Sequence, residues 1–313
     1  MERIKAAAFL AALLIAGCVA APLDNSLQWQ SQLYADHALV GMIWDSERSL
    51  FIDANELFGR LEGASYLLLG EKHDNPDHHE LQLRVLEHVL GTEKVSNVSF
   101  EMMTSDQQPL LESVSSLQQS DLDTIEEYLQ WDSDGWDWDF YGPLVQAAIA
   151  ANVSIKAANI SNEEMMRVYA EPTPDEIADV LDALTVTALE KDIDESHCGM
   201  LPESQFPAMV RVQQARDFAM AKSLTAGFSR QMQVLIAGNY HIRRDLGVPN
   251  YILHTQRGRR PDRIISLSFM EVDAGSVEPH DYLQQFGGTR AYDYIWFTPA
   301  VSDEDYCASM RQP

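Results

Sequence analysis

Basic residues are scarce in this chain. It carries 22 Lys and Arg against 48 Asp and Glu, a formal net charge of −26 over 313 residues. A surface that acidic repels phosphate backbones and anionic headgroups, which argues against nucleic acid as a partner and against electrostatic docking on lipid. Cysteine is scarcer still, with 3 in all, too few for a disulfide-dense scaffold. Beyond the first 17 residues no run is long and apolar enough to span a bilayer. There is no low-complexity tract and no long internal repeat. What is left is the composition of one large globular domain.

The N-terminus is organised differently. Arg3 and Lys5 precede an apolar stretch at residues 6–15, and Ile15-Ala16-Gly17-Cys18 follows it. The stretch is too short for a spanning helix and leaves through small residues, as a signal peptide does. Its exit resembles the lipobox of bacterial lipoproteins, in which the chain is cut before a cysteine that is then acylated. That resemblance implies a signal peptide at residues 1–17 and a lipid on Cys18. Val19, rather than Asp, follows the cysteine, which in the same pattern implies outer-membrane sorting, on the periplasmic side. Residues 18–45 then read as anchor and linker, and residues 46–313 as one domain. With Cys18 lipidated, Cys198 and Cys307 are an even remainder in an oxidising compartment and point to one disulfide. The alternative is a free thiol or metal ligand at Cys198, within His197-Cys198-Gly199.

Six short apolar or β-branched runs read as strands: residues 66–69, 98–100, 153–156, 233–237, 264–269 and 292–297. Helical patterns lie between them. Residues 78–90 place Leu81, Val85, Leu86 and Val89 at helical spacing before a capping Gly91. Residues 143–151 form a second helix with proline early in it. Strand–helix–strand alternation predicts an α/β fold, a mostly parallel sheet flanked by helices. Residues 104–140 interrupt the alternation with an acidic, Gln-rich stretch, helical at 121–130. Residues 160–230 interrupt it again. They are strandless and helical at 163–170, 174–192 and 208–228, a helical insertion before the fourth strand placed to act as a lid. The run from Trp131 to Tyr141 alternates aromatics with aspartates. It reads as aromatics packing a loop on the sheet, with a flat wall for a planar ligand as the functional alternative.

Two motifs share one grammar. Gly70-Glu71-Lys72-His73 follows the first strand and Gly238-Asn239-Tyr240-His241 the fourth. Parallel strands bring such endings to one carboxyl edge, where open α/β sheets bind ligands. Glu101 ends the second strand, where a carboxylate is costly unless partnered. His73, His241, Glu71 and Glu101 suit two tasks. They can form an acid–base set acting on water, or His73, Glu101 and His241 can hold a divalent Zn, Mn or Fe ion.

Together with Glu101 and the continuation Ile242-Arg243-Arg244-Asp245-Leu246-Gly247-Val248-Pro249, these motifs resemble the ChaN family of haem-binding, iron-regulated lipoproteins. That family sits in a superfamily with erythromycin esterases and Tiki-type metalloproteases. His197-Cys198-Gly199-Met200-Leu201-Pro202 and Trp296-Phe297-Thr298-Pro299 add to the resemblance, which spans about residues 45–300. It implies a haem-binding lipoprotein of iron and haem acquisition at the outer membrane. It also implies haem shared between two monomers and an outer-membrane haem receptor as partner. Haem iron takes His, Tyr, Met or Cys as axial ligand. Tyr240, His197 and His241 are the candidates here, and Arg243 and Arg244 are candidates for pairing the propionates. Met102, Met103, Met165 and Met166 read as packing residues. The rival implied by the esterase and protease relatives is a metal-dependent hydrolase. In it, Glu71 or His73 activates water and His241 or Arg243 stabilises an oxyanion.

Overall fold

All six expected strands form, and they lie side by side in parallel. The computed structural model describes residues 27–224, 231–255, 260–283 and 285–310. The parallel set is β3 (Tyr66–Glu71), β4 (Val95–Thr104), β5 (Ser154–Asn159), β6 (Met232–Gly238), β7 (Ile264–Glu271) and β10 (Tyr294–Thr298). Two short edge strands, β1 (Ile43–Asp45) and β2 (Leu50–Ile52), join antiparallel, giving the order β2-β1-β10-β7-β3-β6-β4-β5. A separate hairpin pairs β8 (Gln285–Phe286) with β9 (Thr289–Arg290).

Burial on both faces explains why the central strands read as unbroken apolar runs. Along β3, Leu67 and Leu69 enter one core while Tyr66 and Leu68 enter the other. Val234 and Ile236 against Leu235 and Ala237 repeat the alternation in β6. The first core is covered by α1 (Ala54–Leu61), α2 (Pro76–Gly91), α3 (Gln108–Leu111), α4 (Leu122–Leu129) and α5 (Trp138–Ala150). The second lies under α7 (Asp175–Ala178), α8 (Ala183–Ser196) and α9 (Phe206–Ser223) of the insertion, whose α6 (Asn162–Ala170) packs on α9, and under α10 (Val248–Thr255). A last turn, α11 (Tyr306–Met310), ends the described chain. Among the described residues no helix is long and apolar enough to cross a membrane.

Several boundaries differ from expectation for local reasons. The folded domain begins before residue 46. Ile43–Asp45 lies in the sheet, Leu33 bridges to Ala300, and the buried Asp77 carboxylate accepts the Gln30 and Ser31 N–H groups at 2.7 and 2.9 Å. The expected helix at 174–192 is two helices, because the Asp182 carboxylate accepts the Thr185 N–H and starts α8 afresh. Asp137 caps α5 in the same way, so that helix starts well before Pro143. Gly91 is the last residue of α2, and Thr92 caps it. Cys198 and Cys307 form the expected disulfide, with Cα atoms 5.3 Å apart. The signal segment and Cys18 lie outside the described residues.

Candidate functional site

The carboxyl edge of the sheet carries two linked clusters and an adjacent cavity. In the first cluster Glu71 is the last residue of β3, and its alternation turns it toward α5. The His73 Nδ1–H donates to Glu71 Oε1 at 2.6 Å, and the Tyr141 hydroxyl of α5 donates to the same oxygen at 3.1 Å. The Glu71 side chain is fully buried while 45% of the His73 side chain is exposed, so the imidazole stands at the mouth with its orienting carboxylate behind it. Glu71 Oε2 is buried with no hydrogen-bond partner. Although burial pulls the His73 pKa down, the hydrogen bond and charge of Glu71 raise it overall. Trp136 packs edge-on against this imidazole with centroids 4.8 Å apart. The rest of the aromatic run follows the structural reading, with Trp131 and Trp138 buried against each other. His79 donates from Nε2 to the His73 carbonyl at 3.1 Å, and His78 is buried between the Lys72 N–H and Thr298. Both are structural.

The second cluster is buried and charged. His241 lies 3.2 Å from Glu101 through Nε2 and donates from Nδ1 to Asp217 of α9 at 2.6 Å. The Gly238 N–H donates to the other Glu101 oxygen at 2.7 Å. Burial works against a charged imidazole, yet Glu101 and Asp217 together push the His241 pKa up to about 10. Burial likewise opposes a charged Glu101, but His241 brings its pKa down to about 2. Asp217 is raised, by burial first. His241 thus lies between two carboxylates that favour its charged form.

That arrangement corrects two expectations. Both ring nitrogens of His241 are already committed to carboxylates, Nδ1 to Asp217 and Nε2 to Glu101. One Glu101 oxygen already faces this ring and the other takes the Gly238 N–H, so His73, Glu101 and His241 do not make a metal site. Among the described residues no three His, Cys, Asp or Glu side chains are arranged to hold a metal ion. The arginines also depart from expectation. Arg243 forms a bidentate pair with Asp245 at 2.9 and 2.8 Å and reaches Asp192 at 3.1 Å. Arg244 is held by Asp293 at 2.8 Å and by the Ile264 and Pro261 carbonyls, so neither guanidinium is free for a propionate.

The cavity beside this cluster has a volume of about 760 Å³, within the range of small-molecule pockets. Tyr240 and His197 both line it, as do Ile193, Met209 and Val212. The Tyr240 hydroxyl donates to Asp192 Oδ2 at 3.2 Å, and the Arg243 guanidinium sits 5.4 Å from the center of its ring. His197 donates from Nδ1 to the Ile193 carbonyl at 2.7 Å, which leaves Nε2 as the ring's acceptor. Tyr141, Asp192 and Asp217 were not legible as site residues.

A family of haem-binding uptake proteins, ChaN of the Tiki superfamily, matches residues 57–252. No curated protein matches the sequence. Among solved structures, ChaN of Campylobacter jejuni, described with cofacial haem binding, is similar at a TM-score of 0.66. Its identity is 24%, over 81% of this chain and 95% of that one. An erythromycin esterase variant in its open conformation is more distant, at a TM-score of 0.40 and 12% identity over 72% of this chain and 76% of that one. An effector domain of a Vibrio vulnificus toxin reaches a TM-score of 0.37 and 14% identity, over 63% of this chain and 33% of that one.

Proposed function

This chain belongs to the haem-binding uptake family ChaN of the Tiki superfamily, and on that premise we propose that it binds haem in the cavity beside Tyr240. The observation that carries the reading is the Tyr240 hydroxyl, set in the wall of a cavity that mixes polar side chains with Ile193, Met209 and Val212, and hydrogen-bonded to Asp192. The donor set fits the group. Haem, when bound, supplies a ferric center that accepts a phenolate or imidazole ligand. Burial, with Asp192 beside it, pushes the Tyr240 pKa up, so the phenol holds its proton in the free protein. Asp192 Oδ2 is the acceptor for that proton, and Arg243 donates to the same oxygen and steadies the carboxylate. His197 offers Nε2 on the same cavity, whereas His241 is withdrawn from iron by its two carboxylates.

The same reading makes the protein a lipoprotein anchored through Cys18 on the periplasmic side of the outer membrane. It serves haem and iron acquisition beside a haem receptor, and two copies share haem between them. The lipobox supports the anchor, and the cofacial haem binding described for Campylobacter jejuni ChaN supports the shared haem.

Haemin titration followed by Soret absorbance and size-exclusion chromatography tests the binding. A saturable Soret shift with conversion to a dimer is expected, weakened at least about tenfold in Tyr240→Phe. A wild type that gives no saturable shift overturns the reading.

A second reading is favored by one observation, the unpartnered buried Oε2 of Glu71 behind a half-exposed His73. We propose that these two form a metal-free acid–base pair acting on water, as in a hydrolase. Hydrolysis from an ester library that His73→Ala abolishes supports it, and turnover unchanged in that variant overturns it.

A further inference from the structure

The cavity needs a cation that Arg243 and Arg244 cannot supply. Of the basic side chains in its wall, Lys191 is exposed and paired with Glu195 at 3.0 Å, and Arg243 is held by Asp245 and Asp192. Arg216 is different. On α9 it follows Met209, Val212 and Gln213 at helical spacing, so one face of the helix lines the cavity. Its Nη2 donates to the Met165 sulfur at 3.6 Å, a weak acceptor, and its Nε is buried with no partner. Among the described residues no carboxylate lies within ion-pair distance of it, in a chain with 48 acidic residues. Arg211, one and a half turns earlier, shows the contrast. It donates to the Val168 and Tyr169 carbonyls at 3.1 and 2.6 Å and is a structural tie.

A guanidinium left without a carboxylate in so acidic a protein is a receptor for an anion that comes from outside. We propose that Arg216 is the carboxylate anchor of this cavity and selects porphyrins that carry free propionates. This rests on the haem reading and adds to it. An anionic ligand approaching a chain of charge −26 is repelled at long range. It gains a site only where a fixed cation faces it, and Arg216 fills that role while Tyr240 takes the iron. Orientation follows as well, because a ligand held at one side by its carboxylate and at its center by its iron has one way to sit.

The test uses three ligands on the mature protein. Haemin has iron and carboxylates, protoporphyrin IX has carboxylates without iron, and haemin dimethyl ester has iron without carboxylates. Binding is followed by Soret absorbance and tryptophan quenching, with thermal melts to confirm folding. Arg216→Gln is expected to weaken haemin and protoporphyrin IX at least about tenfold, the scale of a charge-assisted bond, and to leave the diester unchanged. Arg216→Lys should lose less than Arg216→Gln. Tyr240→Phe should weaken the two iron porphyrins and spare protoporphyrin IX. Free-acid porphyrins held equally by wild type and Arg216→Gln overturn the assignment and leave the haem reading standing. Equal weakening of all three ligands makes Arg216 a packing residue and also overturns it. A wild type that takes up none of the three removes the haem reading and this inference together.

Discussion

His241 and Asp217 are joined by a hydrogen bond of 2.6 Å between the loop after β6 and the middle of α9. The contact ties the helical insertion to the sheet's carboxyl edge and sets the pH range of stability. The His241 pKa is about 10 in the fold, above its unfolded value. Its contribution is full below about pH 6.5 and is lost as pH rises through 10. Glu101, at about 2, lies below its unfolded value. Its contribution is full above about pH 4.3 and is lost as pH falls through 2. Asp217, raised by burial, works the other way and makes the acid limb shallower. Urea midpoints measured from pH 2 to 10 should therefore peak between about pH 4.3 and 6.5 and fall on both sides, by about 4 kcal/mol at the alkaline end.

Removing the imidazole should be worse than neutralising either neighbor. His241→Ala leaves Glu101 and Asp217 buried and facing each other without a cation, an effect of about 3–5 kcal/mol. Asp217→Asn keeps a hydrogen-bond partner for Nδ1 and should cost under half of that. Chemical denaturation of the two variants at pH 7 checks the ranking. Equal losses would mean that the charge pairing is not what holds α9 in place.

Gly238 and Gly247 are both crowded, by neighbors of different compliance. A methyl group on Gly238 would come within 3.0 Å of the His73 ring, which is half-exposed and can swing outward. One on Gly247 would collide with the His241 backbone carbonyl, which cannot. Gly247→Ala should cost about 3 kcal/mol and Gly238→Ala about 1 kcal/mol. In the milder variant the His73 imidazole leaves Glu71, so its pKa, measured by NMR titration, should fall toward the ordinary histidine value.

Asp77 secures the start of the described chain. Its carboxylate accepts the N–H groups of Gln30 and Ser31, and it sits in the first turn of α2. Asp77→Ala leaves two backbone donors unsatisfied and removes a favourable charge from a helix N-terminus, a loss of about 2–3 kcal/mol. Hydrogen exchange should accelerate at Gln30 and Ser31 before any change in β3 or β6.

The parallel strands were legible from their short apolar or β-branched runs, longest in β3 and β6 where both faces are buried, and the strand ends followed with Glu71, His73, Glu101 and His241. The edge strands β1 and β2 were not, since three residues each carry too little pattern. Which charges meet was not legible either. Arg243 and Arg244 looked free for a ligand because Asp245 and Asp293 only become their partners in the fold. His241 looked like a ligand until α9 brought Asp217 onto its second nitrogen. Tyr240 and His197 stand 43 residues apart, yet share one cavity because the insertion folds back over the sheet.

The bond between Cys198 and Cys307 has a topological consequence. It closes a covalent ring of the chain that contains β6, β7 and β10, so three of the six parallel strands belong to a loop without a free end. A single protease cut anywhere in that ring leaves one molecule of almost unchanged mass. Its two pieces separate on a gel only after a reductant is added.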